Sequence, residues 1–202
     1  MRKKIGILGG TFDPFHKGHY MLAETAYRQF SLDEIWIMPN GNPPHKKEIR
    51  QTDIESRCEM IRLATREASY MKLCEEERSD QSYHYTYQTL EKFREIYKDY
   101  EFFFIIGADS LRDFPTWREP EKIAALCTLL VACRDDSGMK EIREQIKKIR
   151  DVFGADCQVL NSPKIDAASK EIRSMILDGE DVSNYLDRHV LDYIRSQKLY
   201  CR

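Results

Sequence analysis

The sequence predicts an α/β fold: a doubly wound, largely parallel sheet with helices on both faces, followed by C-terminal helices. Short apolar runs of strand length alternate along the chain with longer segments of helical periodicity. Parallel strands need such long crossover connections. The 202 residues are also enough for one α/β domain with a sizeable core. We therefore interpret residues 1–202 as a single domain whose C-terminal helical portion runs from about 165 to 202.

Six strand-like apolar runs are predicted to form the sheet. They lie at residues 4–8, 34–38, 71–74, 101–106, 128–132 and 158–160. Segments rich in glycine, proline, histidine or aspartate follow the first, second and fourth of these runs. Because ligands in such folds bind beyond the carboxyl ends of the strands, we expect these three loops to converge on one crevice.

Six segments are predicted to be helices from the spacing of their apolar residues. They lie at residues 21–30, 54–68, 86–97, 139–153, 169–177 and 187–196. The second is preceded by Thr52 with Glu55 three residues later, a capping-box pattern that predicts the helix start. The last two have no strand after them and are predicted to close the fold.

The charge and hydropathy pattern excludes several classes of protein. The formal net charge is -2 with 33% charged residues, so there is no overall basic field for nucleic acid or an anionic membrane. The basic start of the chain precedes an apolar stretch that glycine and then Thr11-Phe12-Asp13-Pro14 interrupt, unlike a signal peptide or membrane anchor. We expect a cytoplasmic protein that binds neither nucleic acid nor membrane.

The six cysteines are scattered and form no C-x-x-C pair. This pattern favours reduced thiols that pack in the structure. A zinc site assembled from distant parts of the chain is the alternative, and we predict no metal site.

The segment 9–19, directly after the first predicted strand, is the most informative part of the chain. Its paired glycines let the backbone approach a ligand closely, and Asp13-Pro14 fixes a bend. His16 and His19 follow where a helix would begin. The first amides of a helix lack intrahelical partners and its dipole is positive there, which favours phosphate oxygens. The segment matches neither G-x-G-x-x-G nor G-x-x-x-x-G-K-[ST], so we interpret it as a different phosphate-handling turn.

These residues resemble a known family. His16-Lys17-Gly18-His19 matches the H-x-G-H element of nucleotidyltransferases, and the longer G-G-T-F-D-P-x-H-x-G-H string resembles the bacterial nicotinate-nucleotide adenylyltransferases. The resemblance runs from Ile5 to Tyr200 and implies a Rossmann-like nucleotidyltransferase fold. Further matches are P-P-H-K at residues 43–46, Y-T-x-x-T-L at 85–90 after His84 in place of the usual serine, I-I-G-A-D at 105–109 with a later tryptophan, and part of S-S-T-x-I-R at 168–173.

The resemblance implies a set of functional residues. The residues implied to act in catalysis are His16, His19, Lys46 and Arg173. The residues implied to bind ATP are Gly9, Gly10, Thr11, Phe12, His16, His19, Gly107, Asp109, Ser169 and Arg173. The residues implied to bind the second substrate are Asn40, His45, Lys46, Thr86, Trp117 and Arg118.

The implied reaction is transfer of the adenylyl group of ATP to nicotinate mononucleotide, which gives deamido-NAD and pyrophosphate. Mg²⁺ is expected to enter with ATP, and a homo-oligomer is compatible with the sequence. Two alternatives stay open: another H-x-G-H transferase, such as a pantetheine-phosphate adenylyltransferase or one that makes a CDP-alcohol, and a nucleotide-binding regulator without turnover. The choice between the acid and the amide acceptor also stays open at this point.

Overall fold

The computed structural model describes residues 2–41, 51–78, 84–133, 136–162 and 168–201. Within these ranges six strands form one sheet in the order β3-β2-β1-β4-β5-β6, and every neighbouring pair is parallel. The strands are β1 (Lys3–Gly10), β2 (Glu34–Pro39), β3 (Met71–Leu73), β4 (Tyr100–Gly107), β5 (Thr128–Cys133) and β6 (Cys157–Asn161). The predicted α/β fold with a parallel sheet is confirmed.

Helices connect the strands and continue beyond the last one. They are α1 (Lys17–Gln29), α2 (Ile54–Thr65), α3 (Thr86–Ile96), α4 (Ala108–Asp113), α5 (Pro120–Leu126), α6 (Asp136–Phe153), α7 (Ser169–Leu177) and α8 (Arg188–Ser196), with a 3₁₀ turn at Phe114–Thr116. The sequence did not predict α4, the 3₁₀ turn or α5. It also placed the start of the first helix four residues too late, because α1 begins directly after His16.

The predicted capping box at the start of α2 is wrong. Asp53, not Thr52, caps the helix, and its carboxylate accepts the Ser56 amide at 2.8 Å. The Thr52 amide instead donates to Asp13 Oδ2 at 3.2 Å. Thr52 therefore contacts the turn after β1 and does not cap α2.

The central strands alternate between two cores, one on each face of the sheet. Phe102, Phe104 and Ile106 of β4 pack in one core, whereas Phe103 and Ile105 pack in the other. Burial on both faces explains why this strand is a continuous apolar run in the sequence.

A third core joins the C-terminal helices to α2. Met60 of α2 packs there with Ile172 of α7 and with Val190 and Ile194 of α8. This core fixes the C-terminal helices against α2.

Four of the six cysteines are buried. All six are free thiols in the structure, and burial raises the pKa of the Cys127 thiol to about 12.

No helix of the described ranges combines the length and the apolar character needed to cross a bilayer.

The strand order changes direction between β1 and β4. The chain proceeds from β1 outward to β3, returns to pair β4 with β1, and then proceeds outward to β6 on the other side. Such a switch point opens a crevice at the carboxyl ends of its two strands. The glycine-rich turn after β1 and Gly107 at the end of β4 lie at this crevice.

Candidate functional site

A cleft of about 1030 Å³ opens at the carboxyl ends of β1 and β4. The ends of these strands form its floor, and the starts of α1 and α3 form two of its walls. Ten of the predicted site residues line it: Gly9, Gly10, Thr11, Phe12, His19, Asn40, Thr86, Gly107, Trp117 and Arg118. The expected convergence of the three loops is confirmed for their described parts.

The turn after β1 is packed by its own aromatic side chains. Phe12 and Phe15 are buried, and their ring centroids lie 5.4 Å apart. Phe12 has a φ of 52°, which brings its ring over the preceding backbone. A Cβ atom at Gly10 would lie 2.8 Å from that ring, so the turn requires glycine there.

His16 caps α1 with a ring nitrogen. Its Nδ1 accepts the Gly18 amide at 3.1 Å, and the His16 amide donates to Nδ1 of His19 at 3.3 Å. The two rings stack with centroids 3.7 Å apart. Because each Nδ1 accepts a hydrogen bond, both rings are assigned as neutral with the proton on Nε2. The turn therefore holds two imidazole N–H donors side by side.

The first amides of α1 all have partners in the protein. Lys17 donates to the carbonyl of Tyr185 at 2.8 Å, Gly18 to His16 Nδ1, and His19 to the His16 carbonyl at 2.9 Å. The expectation that these amides bind phosphate directly is therefore wrong. The helix dipole and the imidazole donors remain as the anion-binding features of this turn.

Two side chains of α7 donate hydrogen bonds to the backbone of the turn after β1. Arg173 Nη1 donates to the Asp13 carbonyl at 2.6 Å, and Ser169 Oγ donates to the neighbouring Pro14 carbonyl at 3.1 Å. The two side chains lie one helical turn apart on one face of α7, as predicted. Tyr200 adds a hydrogen bond to the Asp13 carboxylate at 2.6 Å.

Arg57 of α2 is 1% exposed and joins two loops at the edge of the cleft, the turn after β1 and the connection between β2 and α2. Its guanidinium donates to the carbonyls of Thr11 and Asn40, each at 2.8 Å, and to the carbonyl of Thr52 at 2.9 Å. Five N–H groups in a planar fork allow one side chain to serve acceptors from separate segments. Arg57 fixes the turn after β1 relative to the loop after β2.

The opposite end of the cleft lies at the start of α3. Tyr85, the N-cap residue, provides no side-chain capping hydrogen bond, so the described part of the chain leaves this helix start without a side-chain cap. The Arg118 guanidinium lies 5.2 Å from the Tyr85 ring centroid. Trp117 is half-buried and packs in a T-shaped arrangement with Phe104, with centroids 6.2 Å apart. An aromatic surface, a cation and a helix amino terminus are thus brought together.

Comparison with known proteins identifies the family. The cytidylyltransferase-like family model matches residues 7–185. A probable nicotinate-nucleotide adenylyltransferase of Clostridium botulinum (strain Eklund 17B) is 36% identical over 198 residues, which cover 98% of each chain. Another of Desulfitobacterium hafniense (strain Y51) is 35% identical over 98% of this chain and 96% of that relative. The chain belongs to the nicotinate-nucleotide adenylyltransferase family.

Solved structures agree with the family in fold. Plasmodium falciparum nicotinic acid mononucleotide adenylyltransferase complexed with NaAD has a TM-score of 0.80 at 24% identity, with 98% of this chain and 97% of that chain covered. A putative nicotinate-nucleotide adenylyltransferase from Vibrio parahaemolyticus has a TM-score of 0.69 at 22% identity. The Rossmann-like nucleotidyltransferase fold that the sequence resemblance implies is confirmed.

Four residues that the family resemblance implies do not line the cleft. His16 lines a smaller cavity of about 240 Å³ beside α1 and α2, although its ring stacks on His19. Asp109 forms an ion pair with Arg112 within α4, and Ser169 and Arg173 contact the turn from its outer side. Their roles in the nicotinate-nucleotide adenylyltransferase reaction stay predictions.

His45 and Lys46 lie outside the described residues, so their roles also stay predictions. Within the described ranges, no group of three or more histidine, cysteine, aspartate or glutamate side chains could hold a metal ion.

The sequence did not indicate Glu77, which the structure places in the wall of the cleft. Its side chain is 7% exposed and accepts a hydrogen bond from Thr89 Oγ1 at 2.7 Å. Burial raises the pKa of this carboxyl above its ordinary value, while the Thr89 hydrogen bond and the charge of His84 oppose the shift. Glu77 lies in a charged stretch that is typical of a solvated loop, so only the tertiary structure identifies it as a cleft residue.

Proposed function

We propose that the protein transfers the adenylyl group of ATP to nicotinate mononucleotide and releases deamido-NAD and pyrophosphate. The observation that carries the proposal is a cleft with His19 at one end, on which the His16 ring stacks, and with Trp117, Arg118 and the start of α3 at the other. The names of the relatives support the same reaction.

At the phosphate end, the neutral His16 and His19 rings donate Nε2–H hydrogen bonds to phosphate oxygens of ATP. The attacking phosphate of the acceptor is already ionised near neutral pH, so it needs little help from a general base. Two anions must meet, and the barrier falls through positioning and through stabilisation of the charge that develops at the α-phosphorus and on the departing pyrophosphate. Arg173 and Lys46 add fixed positive charge in this proposal.

At the other end, the start of α3 receives the carboxylate of the pyridine ring. Backbone donors near Thr86 and the positive end of the helix dipole favour an anion there. Arg118, held over Tyr85, adds a charged donor, and Trp117 offers a surface on which the electron-poor pyridinium ring stacks. An amide in place of the carboxylate loses these charge-assisted hydrogen bonds.

The turn after β1 does not fit Mg²⁺ as a protein-held ion. The imidazoles of this turn are nitrogen ligands, and its carboxylate, Asp13, is 5% exposed and accepts hydrogen bonds from Tyr200 and Thr52, whereas Mg²⁺ prefers several hard oxygen ligands. We propose that Mg²⁺ arrives coordinated by the triphosphate of ATP.

The test is a comparison of acceptors. Purified protein is incubated with Mg-ATP and either nicotinate mononucleotide, nicotinamide mononucleotide or 4′-phosphopantetheine, and pyrophosphate and the new nucleotide are both measured. We expect kcat/KM for the acid to exceed that for the amide by at least about 100-fold. Comparable rates with acid and amide would contradict the carboxylate site. Turnover only with 4′-phosphopantetheine, or ATP binding without turnover, would replace the proposal with one of the two alternatives.

A matched pair of variants tests the role of Arg118. Arg118→Ala should raise KM for the acid about tenfold or more and leave the amide nearly unchanged, because it removes one charge-assisted hydrogen bond. Lys122→Ala is the control: Lys122 also lies over an aromatic ring, 5.0 Å from the Tyr87 centroid, but does not line the cleft. Equal effects of the two substitutions would exclude a specific role of Arg118.

A further inference from the structure

We propose that Tyr200 is a positioning residue for catalysis: its hydroxyl, acting through the Asp13 carboxylate, holds the turn that carries His16 and His19. This inference rests on the proposed function. Neither Tyr200 nor Asp13 lines the cleft, and Tyr200 lies 187 positions beyond Asp13 in the sequence.

The hydrogen bond between Tyr200 and Asp13 is short and charge-assisted. The Tyr200 hydroxyl lies 2.6 Å from Asp13 Oδ1, within the range for an O–H donor to a carboxylate. Burial and the Asp13 charge raise the pKa of the Tyr200 hydroxyl well above its ordinary value of 10.0. Tyr200 therefore stays protonated and keeps its role as the donor.

Within the described residues, two groups donate hydrogen bonds to the Asp13 carboxylate. Asp13 is 5% exposed, and its side chain accepts from Tyr200 and from the Thr52 amide at 3.2 Å. Arg173 is close but donates to the Asp13 carbonyl and not to the carboxylate. Since a buried charge must be hydrogen-bonded or must move toward water, loss of the Tyr200 hydroxyl should displace Asp13 and the turn with it.

Displacement of Asp13 would reach the imidazoles through two short connections. Phe12, next to Asp13, packs in a T-shaped arrangement with the His19 ring, with centroids 5.0 Å apart. His16, three residues beyond Asp13, caps α1 and stacks on the same ring. A shift of about 1 Å in groups that stabilise a transition state lowers turnover on the order of 100-fold.

The backbone of Tyr200 adopts an unfavourable conformation, which contacts of its side chain can stabilise. Tyr200 has a φ of 61°, in the left-handed region that costs free energy for any residue but glycine. The ring packs against the core formed by α2, α7 and α8, and its hydroxyl reaches Asp13. Packing and hydrogen bonding together maintain this conformation.

The test compares two tyrosines in the same part of the fold. Tyr200→Phe removes the hydroxyl that reaches Asp13, whereas the control Tyr193→Phe removes one that reaches Ser56 Oγ at 3.4 Å. Each variant is assayed at a temperature where circular dichroism shows it to be folded. We expect Tyr200→Phe to lower kcat at least about tenfold while KM for ATP changes less than about threefold. Tyr193→Phe should stay within about twofold of the original protein. A Tyr200→Phe kcat within twofold of the original would overturn the proposal.

A double-mutant cycle distinguishes positioning from simple packing. In an Asp13→Ala background, Tyr200→Phe should change kcat less than about twofold, because the group that it acts through is gone. Independent, multiplicative effects of the two substitutions would overturn the proposal even if Tyr200→Phe alone were slow. Failure of the unsubstituted protein to use nicotinate mononucleotide would instead contradict the proposed function.

Discussion

The two ring nitrogens of His16 have separate roles in the proposed mechanism. Nδ1 accepts the Gly18 amide and starts α1, and Nε2 carries the proton proposed to reach ATP. The usual sequence signals for a helix start are serine, threonine, aspartate and asparagine. Histidine is not among them, so the sequence placed a helix near this motif but not its cap.

Substitutions at His16 can separate the two tasks. In His16→Asn the side-chain oxygen takes the place of Nδ1, so stability should stay within about 0.5 kcal/mol while turnover falls on the order of 100-fold. In His16→Gln the amide nitrogen takes the place of Nε2. We therefore expect a stability loss of about 1 kcal/mol and higher turnover than in His16→Asn. Thermal unfolding and steady-state kinetics measure both, and equal turnover in the two variants would contradict the division of tasks.

Glu77 should make stability depend on pH. Its folded pKa lies above the ordinary value of 4.5 because the carboxyl is buried, so the folded state binds the proton more tightly than the unfolded state does. The contribution of Glu77 to stability is therefore lost as pH rises from about 4.5 through the raised pKa. Glu77→Gln keeps an acceptor for Thr89 but does not titrate. The Tm of the variant relative to the original protein should rise with pH across this window, and a flat difference would argue against the shift.

Arg57 has a structural role that the sequence did not indicate. In the sequence it is one of several arginines in a helical segment, where a solvated side chain is the ordinary expectation. Its three carbonyl partners come from loops that the sheet brings together. Only the tertiary fold defines that meeting point, so no local pattern could have indicated it.

Among the elements, strands were easier to predict than short helices. The central strands β1, β4 and β5 contain apolar runs with residues in both cores, and these runs are visible in the sequence. By contrast, α4 has six residues and α5 has seven. Helices of this length do not form by propensity and depend on the surfaces around them, so their periodicity was too short to indicate them.

The junction of β4 and α4 offers an element-level test of the cleft. A Cβ at Gly107 would meet no atom within 4 Å, and Gly107 lines the cleft. Gly107→Ser should therefore keep or slightly raise stability, because serine is a good N-cap, while its side chain occupies ligand space and raises KM about tenfold or more.

The control for this test is Gly6→Ala in β1. A Cβ at Gly6 would lie 2.5 Å from Ile35 Cδ1 and 2.8 Å from Leu32 Cδ1, away from the cleft lining. Overpacking there should lower stability by about 1–3 kcal/mol without a change in KM. A Gly107→Ser protein that loses stability but keeps its KM would show that the position serves folding alone.

The cleft is assembled from distant parts of the chain. The turns after β1 and β4 form its floor, and α3 and Trp117 form its far wall. Helix α7 and Tyr200 contact the turn after β1 without lining the cleft. The alternation of strands and helices predicted that the turns after β1 and β4 would converge. It did not predict the support from the C-terminal helices, because amphipathic periodicity indicates that a helix packs but not against which surface.

The unequal capping of α1 and α3 has a consequence for the entropy of binding. The first amides of α1 are already ordered by protein partners, so under the proposed function ATP binding at this end costs little further conformational freedom. The start of α3 has no side-chain cap in the described structure, so we expect the acceptor to order more of the groups that bind it. We therefore expect discrimination between acid and amide to arise at the start of α3, where only strong charge-assisted hydrogen bonds offset that loss of freedom.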